Sequence, residues 1–554
     1  DGKLIDTEFK RFHLRPLRDL YFHGEVPKLS YGLHGNLRTI QVLIAIGLFM
    51  LVLAGINYVN LTTARSTMRA KEIAVKRVTG SSAALLRVQL IGESIILSLV
   101  SLVVAVTTMQ LFLPWYNRLT SVNIQIAELN HPVVWIGMIL AGVLVGIVAG
   151  VYPAFYLTSI QPVRLIKGSG ATGEGGSLFR SGLMTFQFAL SIIMIVAIIV
   201  NFRQLQYLKT KDLGFNKEMV ITLFTPAEMP NEFELRNTFR TKLLQHAEVE
   251  NVSYSYGIPG GEIADLPTME LNGARASVKG LFVDEEYVKV MGIDLVDGRD
   301  FTQTGTEGFH LSRETGVIIV NESMVHDYSL DNPIGKKIYF ADHKSVAEII
   351  GVVKDFHVRS LHDNIEPIML MWLAYPGQVA NIKIASANIP ATLKGIESEW
   401  KSVWEAEPFN YAFLDESFDR QYRRDEQLAT AIGYFTILAV IVACLGLFAL
   451  SSFTVSRRTK EIGVRKTLGA SVITIYSMLS WDFLKWILLA LVFAGPVAWY
   501  LMHLWLATFA YHITLGFDVF VIAGLLAIGI ALLTVTVQSL KAANANPIDS
   551  LRYE

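Results

Sequence analysis

"RAKEIAVKRVTG", residues 69–80, returns as "RTKEIGVRKTLG", residues 458–469, an offset of 389 positions. Each copy lies between two long apolar runs. Arg69, Lys71, Glu72, Lys76 and Arg77 cover much of a short helix in the first copy, while Ile73, Ala74, Val75 and Val78 supply an apolar side. The second copy keeps Arg458, Lys460, Glu461 and Arg465 in register. Glu72 and Lys76 stand four apart, as do Glu461 and Arg465, the order that favours a helical ion pair. Gly80 and Gly469 can end the helix in the left-handed conformation, and Ser82 and Ser471 follow as candidate N-caps for the next helix. The stretch therefore reads as an amphipathic elbow at a membrane interface, turning sharply into a spanning helix. A single copy would equally suit a basic anchor. Two copies with the acid, glycine and serine held in place point instead to a docking surface.

The surrounding composition fits a membrane. The 554 residues are 52% hydrophobic, with a mean hydropathy of +0.40, well above an ordinary soluble chain. A net charge of −1 argues against a general nucleic-acid binder. The single cysteine, Cys444, excludes an internal disulfide framework. A crossing helix needs about 20 apolar residues, and seven stretches meet that need: Ile40–Leu61, Leu90–Leu113, Val133–Leu157, Leu183–Val200, Leu428–Phe453, Phe483–Trp505 and Phe520–Val537. Lys and Arg crowd the loops after the first and fifth spans, whereas residues 114–132 hold only Arg118 and residues 506–517 hold neither. The positive-inside rule then places both elbows and the C-terminus in the cytoplasm, and the N-terminal end and residues 201–427 outside. An external N-terminal end leads us to expect an upstream helix, eight in the full chain.

The elbows belong to a larger duplication. In each half the order is span, elbow, span, short outer loop, span, followed by "TSIQPVRLIKG" in the first and "ANANPIDSLRYE" in the second, with Pro162 and Pro547 in matching places. Gly142, Gly146 and Gly150 recur every four residues in the third span, and Ala523, Ala527 and Ala531 do so in the seventh. Small residues at that spacing let helices approach closely in lipid, although they are also common in any such helix. Between the halves, strand-like runs ("VSYSYGI", "VIIVNES", "AEIIGVVKDF", "ANIKIAS") alternate with amphipathic helical runs ("EFELRNTFRTKLLQH", "ATLKGIESEWKSVW").

The predicted fold is a membrane α-helical protein with an extracytoplasmic mixed α/β domain on stalk helices. Residues 1–37 read as the end of a first outer domain and its stalk, and 38–168 as a first membrane unit of three spans. A cytoplasmic Gly-rich linker (169–182) leads to a span and stalk helix (183–211). The outer domain (212–415) and a second stalk (416–427) precede a second three-span unit (428–554).

No catalytic, cofactor or metal constellation emerges. "KGSGATGEGGS", residues 167–177, lacks the Gly-Lys-Ser/Thr ending of a phosphate loop. The twelve histidines show no paired metal spacing. Glu93 and Asp482 share the 389 offset and lie near the ends of spans. A carboxylate there is costly unless paired or wet. Pairing with elbow bases, Arg69 or Lys76 in the first copy, is one expectation; a snorkelling interfacial acid is the other.

With these motifs in hand, the chain resembles the MacB/FtsX-type permeases of ABC transporters, the mechanotransmission group. The elbow matches that family twice, and the outer segment matches through "YVKVMGIDLVDGRDF", "VIIVNESM", "NPIGKKI" and "IIGVVKDFHVRSL". The resemblance implies a non-catalytic permease subunit in a bacterial inner membrane. It implies elbows that couple to two copies of a separate cytoplasmic ABC ATPase, which would use the ATP and Mg. An adaptor or outer-membrane partner and contact with membrane lipid fit the same picture, with export of a hydrophobic or peptide-like substrate. A signalling scaffold in the FtsX manner, activating an external enzyme, is the alternative.

Overall fold

A computed structural model describes residues 37–64, 72–73, 75–120, 124–125, 130–159, 174–226, 231–261, 263–266, 269–271, 274–276, 278–302, 315–340, 345–372, 377–385 and 388–544. Residues 1–36, Arg69, Lys71, Pro162, Pro547 and the first part of the Gly-rich linker (169–173) lie outside them. In chain order the helices are α1 Leu37–Ala64, α2 Ala83–Thr120, α3 Pro132–Ser159, α4 Glu174–Thr210, α5 Glu232–Leu243, α6 Tyr287–Met291, α7 Glu322–Asp327, α8 Ile389–Val403, α9 Leu414–Asp419, α10 Arg423–Arg457, α11 Thr459–Thr467, α12 Val472–Leu506 and α13 Phe517–Asn544. Contacts divide the chain into two units. The first holds Asp1–Asn201, Gln427–Met502 and Leu515–Glu554; the second holds Phe202–Glu426 and His503–Thr514.

In the first unit, α1, α2, α3, α4, α10, α12 and α13 are the seven helices, among the described residues, that are long and apolar enough to cross a membrane. All seven runs read from hydropathy fall on them. α2 packs closely on α3. A Cβ placed on Gly146 would lie 2.6 Å from the Ile95 Cα, and one on Gly150 would lie 2.7 Å from Ser94. Gly142 meets Leu99 at an ordinary 3.4 Å, and its carbonyl accepts a hydrogen bond from Ser98 Oγ at 2.8 Å. On α13, Ala523, Ala527 and Ala531 are buried.

The two repeats meet along a seam of α1, α4 and α10, where Ile46, Leu53, Leu190, Met194, Ile432 and Ala439 form one cluster. Asn57 Nδ2 approaches the Val442 carbonyl at 3.5 Å. A Cβ on Gly446 would come within 2.6 Å of Asn57 Oδ1 and 3.3 Å of Gln187 Nε2. Position 446 is the counterpart of position 57 at the 389 offset. A position that meets its own counterpart is what a local twofold axis between repeats produces.

Among the described residues, the second unit is built on a sheet of thirteen strands, β1 Val220–Phe224, β2 Val249–Ser255, β3 Ala264–Asp265, β4 Met269–Leu271, β5 Ala274–Ala276, β6 Lys279–Val283, β7 Leu295–Gly298, β8 Thr315–Asn321, β9 Lys337–Phe340, β10 Ser345–Val353, β11 Ile368–Trp372, β12 Val379–Ile384 and β13 Tyr411–Phe413. Their order is β13-β1-β12-β2-β6-β11-β8-β10-β9-β4-β5, with β3 beside β6 and β7 beside β10. Strands β2 Val249–Ser255, β8 Thr315–Asn321, β10 Ser345–Val353 and β12 Val379–Ile384 fall on the four strand-like runs, and α5 and α8 on the two helical ones. β6 (Lys279–Val283) with β11 (Ile368–Trp372), and β8 with β10, are the parallel pairs. On α5, Arg236, Phe239 and Leu243 are buried at helical spacing. On α8, Thr392, Ile396 and Trp400 are buried every four residues. Both faces contribute to one core with the inward residues of β1 (Val220–Phe224), β2 and β12.

Residues His503–Thr514, read from sequence as part of the second membrane unit, group with the sheet unit instead. The physical reason is local. Gln204 Nε2 donates to the Tyr511 carbonyl at 2.9 Å, and Gln204 Oε1 accepts from the Ile513 N–H at 2.9 Å. Lys211 Nζ sits 3.9 Å from the Tyr511 ring centre, and the His362 ring stacks near Phe509 at 4.4 Å.

His357 is 4% exposed and stands edge-on to Tyr511 at 4.8 Å. Burial, reinforced by the charge of Lys211, lowers its pKa from 6.5 to about 4. The unfolded chain therefore takes up this proton first. The stability that the neutral ring contributes is complete above pH 6.5 and is lost as pH falls toward 4. The loss should reach about 2 kcal/mol near pH 5. Unfolding of the full chain measured across that range should show the fall, and His357→Asn should flatten it.

Candidate functional site

The two elbows share one backbone design. In the first, the Ser81 N–H donates to the Lys76 carbonyl at 2.9 Å and the Gly80 N–H to Arg77 at 3.2 Å. In the second, Ala470 donates to Arg465 at 2.9 Å and Gly469 to Lys466 at 3.0 Å. This paired bonding closes the helix end and requires a left-handed residue at the turn. Gly80 (φ 105°) and Gly469 (φ 94°) supply it. The next helix starts at once. Ser82 Oγ accepts from the Leu85 N–H at 3.3 Å, and Ser471 Oγ from the Thr474 N–H at 3.2 Å. Charge pairing repeats as well, with Lys76 2.9 Å from Glu72 and Arg465 2.8 Å from Glu461. Exposed pairs of this kind add little stability, so their use lies in shaping the surface.

The apolar residues of the elbow split between opposite faces. Ile73 is buried with Leu86 and Leu157, and its counterpart Ile462 with Ile475 and Leu479. Two residues on, Val75 is 60% exposed and its counterpart Val464 is 47% exposed. Residues two apart on a helix are about 200° apart, so one anchors the elbow while the other faces outward. The sequence reading set Ile73, Ala74, Val75 and Val78 on one apolar side. The structure places Val78 (67% exposed) outward with Val75.

In each copy, described side chains of the elbow and the following spans tie the elbow to the bundle. In the second, Asp482 on α12 pairs with Arg458 at 2.7 Å and with Lys485 at 3.0 Å, which ties the start of the elbow to the span. Arg458 also lies 4.0 Å from Glu461. In the first, Glu93 accepts from Gln89 Nε2 at 3.1 Å and lines a small cavity with Glu72 and Lys76. Arg77 there donates to the Thr158 carbonyl at 3.1 Å, and Arg87 to Thr158 Oγ1 at 2.9 Å. Arg69, the counterpart of Arg458, lies outside the described residues, as does the side chain of Lys460.

Sequence reasoning passed over a polar group inside the seam. Gln187 and Asn60 are buried, and among the described residues Asn57 Oδ1, Asn60 Oδ1 and Gln187 Nε2 have no hydrogen-bond partner. Enclosed amides in lipid are costly, and "NYVN" within a span was the available signal. Among the described residues, no three His, Cys, Asp or Glu side chains converge as a metal site.

Comparison with known families bears on this geometry. The FtsX-like permease C-terminal family matches residues 44–162 and again 433–547, one match over each elbow and its spans. The MacB-like periplasmic core domain family matches residues 189–385. The chain belongs to the MacB/FtsX-type permease family. Its two FtsX-like regions are a tandem pair within one polypeptide. Relatives include the macrolide export ATP-binding/permease protein MacB of Neisseria gonorrhoeae, 25% identical over 206 residues. The MacB of Haemophilus ducreyi is 27% identical over 200 residues. These alignments take in 34% of this chain, and they span 30% of the gonococcal protein and 27% of the H. ducreyi one. Among solved structures, the periplasmic region of MacB from Actinobacillus actinomycetemcomitans is similar at 16% identity, over 38% of this chain and 94% of that one, with a TM-score of 0.27. The extracellular domain of the noncanonic ABC-type transporter YknZ from Gram-positive bacteria matches at 16% identity, over 35% and 97%, with a TM-score of 0.25. With seven apolar helices among its described residues, this member of the permease family is a multi-pass membrane protein.

Proposed function

We propose that this chain is the non-catalytic permease subunit of an ABC transporter in a bacterial inner membrane. Both elbows and the C-terminus face the cytoplasm, and the sheet unit faces outward. A separate ATPase, in two copies, binds ATP and Mg and docks on the elbows, one copy on each. Its cycle moves the outer unit to export or extract a hydrophobic or peptide-like substrate. The observation that carries the reading is the pair of outward valines, Val75 and Val464, each beside a Glu–base pair and each on a glycine-closed elbow. A small apolar knob ringed by charge is the form of a protein contact, because the knob gains from burial and the charges set orientation.

Affinity purification from the native host in mild detergent tests this. The full chain should bring down an ABC ATPase. The double variant Val75→Asp with Val464→Asp should insert normally yet bind that ATPase roughly 30-fold more weakly, as loss of central contact residues does. Unchanged recovery of the ATPase by the double variant would sink the coupling role. If no ATPase is recovered even after cross-linking, the elbows are membrane anchors.

A further inference from the structure

The second elbow borders a cavity of about 290 Å³ in the membrane unit, lined by residues of α4, α10 and α12. Three of its side chains are cations, Arg180, Arg458 and Lys485, against one acid, Asp482. Asp482 receives Arg458 at 2.7 Å and Lys485 at 3.0 Å, and cations outnumber acids among the lining side chains. Ser181 and Thr454 add hydroxyls to the wall, and Leu450, Phe453, Phe483 and Trp486 form its apolar part. At the same offset, Lys485, Phe483 and Trp486 correspond to Ile96, Ser94 and Leu97 of the first repeat. General anchoring of the elbow explains cations in both copies. It does not explain a lysine and two aromatic rings around this cavity at positions where the first copy carries Ile96, Ser94 and Leu97.

We propose that this cavity binds the phosphate of an anionic phospholipid. The orientation inferred above puts it in the cytoplasmic leaflet, and the proposal rests on that part of the reading. A phosphodiester there would be held by Arg180 and Lys485 and would share Arg458 with Asp482. Its acyl chains would run along Leu450, Phe453 and Phe483, a wall that a free phosphate has no use for. Occupancy would brace the second elbow through Arg458, a difference between the two docking positions that the duplication alone does not provide.

The test is native mass spectrometry of the full chain released from nanodiscs of mixed phosphatidylglycerol and phosphatidylcholine. Wild type should retain a phosphatidylglycerol in preference to phosphatidylcholine. Arg180→Gln with Lys485→Ile, the latter taking the residue of the first repeat, should weaken that retention roughly 25-fold, about fivefold for each basic group lost. Ser181→Trp, which fills the cavity and leaves every charge in place, should also lower it and guards against a misfolded double variant. Equal retention by all three proteins would overturn the site. Displacement of the lipid by inorganic phosphate at similar concentration would overturn the lipid as its occupant. The readout needs no ATPase, so loss of the coupling reading would leave this result standing.

Discussion

Gly146→Val should lower the stability of the membrane unit by about 3 kcal/mol or more, as overpacking against an immovable neighbour does. The new Cβ would meet the Ile95 Cα at 2.6 Å and its backbone nitrogen at 3.1 Å. No rotamer change relieves a clash with backbone, so α2 and α3 must separate. That separation would also stretch the Ser98–Gly142 hydrogen bond, now 2.8 Å. Two glycines of the same helix serve as controls. Gly142→Ala adds a contact at an ordinary 3.4 Å, and Gly137→Ala meets nothing within 4 Å. Both should fold with stability close to wild type. Thermal inactivation of the detergent-solubilised chain, read by loss of its monodisperse chromatographic peak, distinguishes the three. A Gly146→Val protein as stable as the Gly137 control would refute close packing of α2 on α3.

The second large effect lies in the sheet unit. Asp284 is 3% exposed and accepts the Tyr254 N–H at 2.6 Å and the Glu286 N–H at 3.3 Å. It also pairs with the Arg240 guanidinium from α5, which reaches Glu285 at 3.3 Å. Asp284→Ala strands the guanidinium beside one remaining acid and leaves the N–H of the fully buried Tyr254 without its acceptor. Removing one member of a buried pair costs about 3–5 kcal/mol, most of it the cost of the partner left behind. The expected result is loss of hydrogen-exchange protection along β2 and β6 in the full chain. Glu397→Ala, which breaks the surface pair with Lys401, should change stability by less than about 1 kcal/mol. Equal protection in the Asp284 and Glu397 variants would remove the buried pair from the account of this unit.

Much of the elbow was legible because its physics is local. The Glu–base pairs, the glycine stops and the serine caps each involve residues within about five positions. The spans were legible because a bilayer asks only for length and apolar composition. Legibility fell where two faces of one short helix competed. Ile73 and Val75 are both β-branched and apolar, and only their neighbours decide that the first is buried beneath Leu157 while the second faces out. Strands such as β6 and β11 were missed for a related reason. β11 reads "IMLMW" and is buried throughout, so it has no period-two alternation to announce it.

The sequence by itself determined that this is a membrane protein with a duplicated helical unit, two matched elbows and an inserted α/β domain. Composition and short-range periodicity encode those features directly. Only the tertiary structure decided that the repeats meet at α1, α4 and α10, with position 57 against its counterpart 446. Only it joined residues 503–514 to the sheet unit and gathered Arg180, Arg458 and Lys485 around one cavity. Each of these unites residues tens to hundreds of positions apart, and such proximity is set by how whole helices pack, which no local pattern records.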